Sequence, residues 1–115
     1  MGIWSTEREQ FTVFPILYIT QTSPSPGSPP ILYLYAKNEG TASIKIIGIE
    51  ILTVNGSYIN RSTYEILPKT SLELTIDNWI WSGHGTPVTL IRGERYTIKI
   101  YTEKHGVYFT ETIAR

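Results

Sequence analysis

Cysteine is absent from the 115 residues. That excludes a disulfide framework, cysteine catalysis and thiolate metal sites. Charge is scarce as well: Asp, Glu, Lys and Arg make up 17% of the chain, against ~25% in an average soluble protein. The charges cancel to a formal net of zero. There is no basic stripe to meet a nucleic-acid backbone and no block of like charge for a membrane surface. No window approaches the ~20 apolar residues of a membrane span, and no signal-peptide pattern is present. No internal repeat and no convincing helical periodicity can be found.

What is there is a 41% hydrophobic content in a length that suits one domain with one core. Residues 11–115 read as that domain. Residues 1–10, where Met1-Gly2 runs straight into Ile3-Trp4-Ser5-Thr6, read as the remnant of an N-terminal stalk. The alternative is a complete small cytosolic protein. Trp4 would then mark, in the stalk reading, a membrane-interface end.

The chain alternates in short runs. Phe11 to Gln21 reads as a strand, and Pro15, which has no amide hydrogen for a ladder, puts it at an edge or a bulge. Thr22 to Pro30 (TSPSPGSPP) is a loop. Ile31 to Asn38 is a second strand, turned by Asn38-Glu39-Gly40. Ser43 to Val54 is the longest apolar run, with Gly48 signalling a bulge or a close backbone approach. Strict alternation puts Ile44 and Ile46 on one face and Ile47, Ile49 and Ile51 on the other. Asn55-Gly56 is a strong hairpin signal. Ser57 to Pro68 is irregular or an edge strand. Ser71 to Trp79 points Leu72, Leu74 and Ile76 inward. A short strand at Val88 to Ile91 follows. Arg95 to Thr102 has Tyr96, Ile98 and Ile100 inward, and Val107 to Ile113 closes a hairpin with Val107, Phe109 and Ile113 sharing one face and Phe109 expected in the core. Seven or eight short strands with turns every ~8–12 residues indicate an all-β, immunoglobulin-like sandwich of two antiparallel sheets.

Candidate chemistry is thin. Asp77, Ser82 and His84 are the one compact acid, nucleophile and base set, but no nucleophile turn surrounds them, and exposed loop positions are expected. His84 and His105 each precede a glycine in a turn and lack the further ligands that zinc needs. Scattered glutamates form no paired-carboxylate motif. No catalytic, metal or cofactor site is expected. Trp79 and Trp81 share a strand face. They either plug one end of the sandwich, the preferred reading, or stack on sugars. Asn55-Gly56-Ser57 and Asn60-Arg61-Ser62 are glycosylation sequons that become acceptors on an exported chain. The apolar face of the third strand, Ile47, Ile49 and Ile51, together with Tyr33 and Tyr35 on its neighbour, is the expected self-association surface, because a strand apolar on both faces needs a cover on both.

A resemblance adds to this. The order LYAKNEGTASIKI-x-GI from Leu34, then NG at Asn55, ILP at Ile66, RGERYTIKIYT from Arg92 and GVY at Gly106 resembles the globular domains of archaeal type IV pilin-like proteins. Asn38 with Gly40, Pro68, and Gly93 with Tyr96 match the group's turn, strand-end and late-strand motifs. Within it the chain is most similar to the soluble domain of the archaellum accessory proteins FlaF and FlaG. The Thr22 to Pro30 loop has no counterpart there. The resemblance implies a membrane-anchored β-sandwich between cell membrane and S-layer, attached by an N-terminal helix that lies outside this sequence. It implies a stator part that binds the S-layer protein, forms a homodimer or homo-oligomer, and meets a sibling archaellum accessory protein. A filament-forming pilin or adhesion module, and a carbohydrate-binding sandwich using Trp79 and Trp81, are the alternatives.

Overall fold

In the computed structural model, residues 11–18, 30–85, 87–104 and 106–115 are described. Residues 1–10, 19–29, Thr86 and His105 lie outside them, as therefore do the stalk, the Trp4 reading, the end of the first expected strand, most of the Thr22 to Pro30 loop and the His105 turn. Nine strands form: β1 (Phe11–Tyr18), β2 (Ile31–Asn38), β3 (Ile44–Leu52), β4 (Gly56–Asn60), β5 (Tyr64–Ile66), β6 (Thr70–Ile76), β7 (Ile80–Gly83), β8 (Arg95–Thr102) and β9 (Val107–Ile113). One sheet has the order β1-β2-β6 and the other β7-β4-β3-β8-β9, with β5 pairing the first half of β3. Every pairing is antiparallel. The protein is an all-β sandwich. Strands one, two and six lie opposite three, eight and nine, as in the immunoglobulin fold.

The core lies where the two inner faces meet. The small sheet contributes Phe11, Leu17, Leu32, Leu34, Ala36, Leu74 and Ile76, and the large sheet Ile44, Ile46, Ile49, Ile51, Tyr58, Ile66, Ile98 and Ile100. Alternation produces this directly: in β2 the even positions are buried, and in β6 Leu74 and Ile76 are. Pro15 sits in β1, an edge strand, opposite Leu34, so its missing donor faces away from the ladder.

The inward–outward assignment of the third strand is corrected. Its pairing with β8 slips between Ile46 and Gly48: Ile46 lies opposite Thr102 and Gly48 opposite Tyr101. Ile47 is the extra residue of a β-bulge and is 42% exposed, while Ile46, Ile49 and Ile51 are fully buried. One inserted residue flips the parity of everything beyond it. Ile49 and Ile51 therefore join Ile44 and Ile46 in the core and form no self-association surface. Gly48 suits the bulge: a Cβ there would stand 3.4 Å from the Tyr101 ring.

Two further expectations change. Val107, Phe109 and Ile113 do share a face, but it is the outer one. Phe109 is 64% exposed, and Tyr108 turns inward to meet Phe11 edge-on at 4.8 Å. Val88 to Ile91 is not a strand; the Val88 carbonyl accepts a 2.5 Å hydrogen bond from the Tyr58 hydroxyl instead. The strand in this region is β7, which pairs with β4, and β4 and β5 line up along β3 where an irregular stretch or an edge strand was expected. Gly56 and Gly83 face each other at that junction so closely that a Cβ on either would run into the other's Cα.

Candidate functional site

Because Leu32, Leu34 and Ala36 turn inward, Tyr33 and Tyr35 must turn outward. Antiparallel register then fixes their company. Phe14 lies opposite Tyr35 and Ile16 opposite Tyr33 on one side, and Tyr18 lies opposite Ile31. On the other side Glu73 lies opposite Tyr35 and Thr75 opposite Tyr33. The outer face of the small sheet thus reads in rows, Phe14–Tyr35–Glu73 and Ile16–Tyr33–Thr75, with Tyr18–Ile31 beside them.

The rings hold one another. Tyr18 meets Tyr33 edge to face at 5.4 Å, and Phe14 lies tilted on Tyr35 at 6.1 Å, geometries that suit ring quadrupoles. Yet the rows are open to solvent: Phe14 is 57% exposed and Tyr33 42%. They line a shallow groove of about 590 Å³. A contiguous apolar patch with a polar rim marks a contact surface. Of the five residues expected to form one self-association surface, the structure therefore brings Tyr33 and Tyr35 together on the small sheet. It leaves Ile47 exposed on the large one and puts Ile49 and Ile51 inside. Phe14, Ile16 and Tyr18 were missed, although FTVFPILY carries them at one parity.

The outer face of the large sheet is different in kind. Glu50 accepts hydrogen bonds from the Ser57 hydroxyl and, at 2.6 Å, from the Tyr101 hydroxyl. Lys99 stands over the Tyr101 and Phe109 rings, 5.0 and 5.7 Å from their centroids. The hydrogen bond with Tyr101 holds its ammonium above the usual lysine range, against the opposing pull of desolvation. This carboxylate is already engaged by its neighbours.

The remaining candidates are placed as follows. Asp77 is exposed in the link between β6 and β7. Ser82 is exposed on β7 opposite Ser57. His84 is exposed just beyond it, its backbone amide donating to the Asn55 carbonyl at 2.9 Å. Among the described residues no three His, Cys, Asp or Glu side chains are grouped to hold a metal ion. Trp79 and Trp81 are half-buried against the core. Trp79 donates its indole N–H to the Pro30 carbonyl at 2.9 Å, and Trp81 packs edge-on to Tyr58 at 5.2 Å. Both indoles are packed against the core. Asn55 is exposed in the β3–β4 turn. Asn60 is 6% exposed; its amide donates to the Asn78 carbonyl at 2.9 Å and its oxygen accepts from the Ser62 amide and the Tyr64 hydroxyl. Asn60 is thus a buried hub of hydrogen bonds, whereas Asn55 is open to solvent.

Comparison of the chain with protein-family models and with curated proteins finds no match.

Proposed function

We propose that this domain works by binding rather than turnover, as a dimeric anchoring subunit of the archaeal motility machinery. In this reading it is extracytoplasmic, tethered between membrane and S-layer by an N-terminal helix, and grips the S-layer protein as a stator part beside a sibling accessory protein. The observation that supports the reading is the open aromatic face of β1, β2 and β6, where Phe14, Tyr18, Tyr33 and Tyr35 stand in ordered contact yet remain solvent-facing. Aromatic side chains carry much of the energy at protein contacts because they bury large area at low entropic cost. A stator resists torque, and two copies on one lattice raise avidity without a new contact.

The test is retention of purified S-layer protein on the immobilised domain, wild type against Tyr33→Ser/Tyr35→Ser. Both tyrosines face out, so the double variant is expected to keep its fold by circular dichroism and lose retention at least tenfold. No retention by the wild type at neutral or mildly acidic pH overturns the reading.

A further inference from the structure

The small sheet ends at β6, and among the described residues that edge carries little of the usual protection. Its other edge, β1, carries Pro15 and lies along β9, with the Thr112 hydroxyl donating to the Pro15 carbonyl at 3.3 Å and the Arg115 amide to the Leu17 carbonyl at 2.9 Å. In the large sheet, the edge strand β7 is only four residues long, and the β9 edge is the one beside β1. β6 runs seven residues, Thr70–Ile76, in unbroken register with β2, without proline, lysine or bulge. Among the described residues no strand pairs its far side. A regular edge whose one charge is Glu73 is a template for another strand, and β5, the strand before it in the chain, pairs with β3 instead.

We propose that two copies of this chain join edge to edge through β6, antiparallel about a two-fold axis at Leu74, to make one six-stranded sheet. The proposal rests on the reading of the domain as a self-associating binding module and names where the copies meet. Symmetry and charge choose the register. Outward side chains must lie opposite outward ones in an antiparallel pair. Full overlap, centred on Glu73, would set the two Glu73 carboxylates directly against each other, which is unfavourable. A centre at Leu74 sets Glu73 against Thr75 of the second copy, a carboxylate against a hydroxyl, at two symmetric places. A centre at Leu72 also separates the acids, but it runs the Tyr35–Glu73 row into Ser71 and Lys37. The Leu74 centre instead joins each row to its counterpart: Phe14–Tyr35–Glu73 continues into Thr75, Tyr33 and Ile16 of the second copy. The two aromatic faces become one surface.

The register makes a charge test possible at exposed positions, where the fold is not at stake. The oligomeric state is measured by sedimentation across a hundredfold concentration range. Wild type is expected to be a dimer, and Thr75→Glu a monomer, because each new carboxylate meets Glu73 of the other copy. Thr75→Glu combined with Glu73→Lys restores the dimer with opposite charges paired. Ser71→Glu, whose counterpart in this register is Asp77 just past the end of the strand, weakens it less than Thr75→Glu does. A double variant that stays monomeric, or a dimer that neither single variant weakens, overturns the edge pairing while leaving dimerisation itself standing. A larger loss on Ser71→Glu than on Thr75→Glu overturns this register. A monomeric wild type overturns dimerisation as such, whatever the S-layer retention shows.

Discussion

Asn38 and Ile66, twenty-eight positions apart, tie the two sheets together. The fully buried Asn38 amide at the end of β2 donates to the Ile66 carbonyl of β5 at 3.1 Å and to the Ala42 carbonyl at 2.8 Å, while its oxygen accepts from the Gly40 amide at 2.9 Å. One side chain closes the β2–β3 turn and bridges the layers. Asn38→Leu is expected to cost about 2–4 kcal/mol, since it strands two carbonyls and an amide that each carry ~1 kcal/mol or more. Urea unfolding would read this as a lower midpoint with the slope unchanged.

Ile47 and Ile49 lie two positions apart on opposite sides of the bulge's consequence. Ile47→Lys leaves its head in water and is expected to change stability by less than about 0.5 kcal/mol. Ile49→Lys buries an unpaired ammonium in the isoleucine core, and by the same principles of desolvation is expected to cost several kcal/mol or prevent folding. Thermal melts of the two variants would separate by many degrees.

Tyr58 confers an alkaline limit. Burial raises its phenol above the ordinary 10.0. The folded state keeps the proton where the unfolded chain has released it. The resulting stability is whole below pH 10 and falls as pH rises through the folded value. Tyr58→Phe should lose ~1 kcal/mol with the hydrogen bond to Val88, yet lose less than wild type between pH 9 and 11. Parallel urea titrations across that range would show the two curves converging.

Where the chain is glycosylated, the glycan is expected on Asn55 alone. Peptide mass mapping of material from an exporting host would find Asn60 unmodified, and a glycan at Asn60 would contradict its role as a hub.

How far the fold was legible follows from what each residue answers to. Pro15 announced an edge because its missing donor is a property of the residue itself. Leu72, Leu74 and Ile76 announced an inner face because the intervening residues are polar. Gly48 announced a bulge, but the phase beyond it could not be read, because isoleucine occupies both parities of the strand. Phe109 failed for the same reason: its neighbour Tyr108 is equally able to face inward. β7 was hidden because IWSG has little pattern of its own and takes its form from β4. Of the candidate site, Tyr33 and Tyr35 were visible as one face of a strand. Their partners Phe14, Ile16 and Tyr18 emerge only once pairing with β1 is known.

The contacts between β1 and β9 have a mechanical consequence. Phe11 meets Tyr108, Pro15 meets Thr112 and Leu17 meets Arg115, so the positions advance together and the two strands run in the same direction. Tension drawn between Phe11 and Arg115 pulls these strands lengthwise past each other. Their links are loaded all at once, in shear, instead of being peeled apart singly. The first and last strands form a clasp, and the load the domain bears before it opens is set by how fast that clasp gives way.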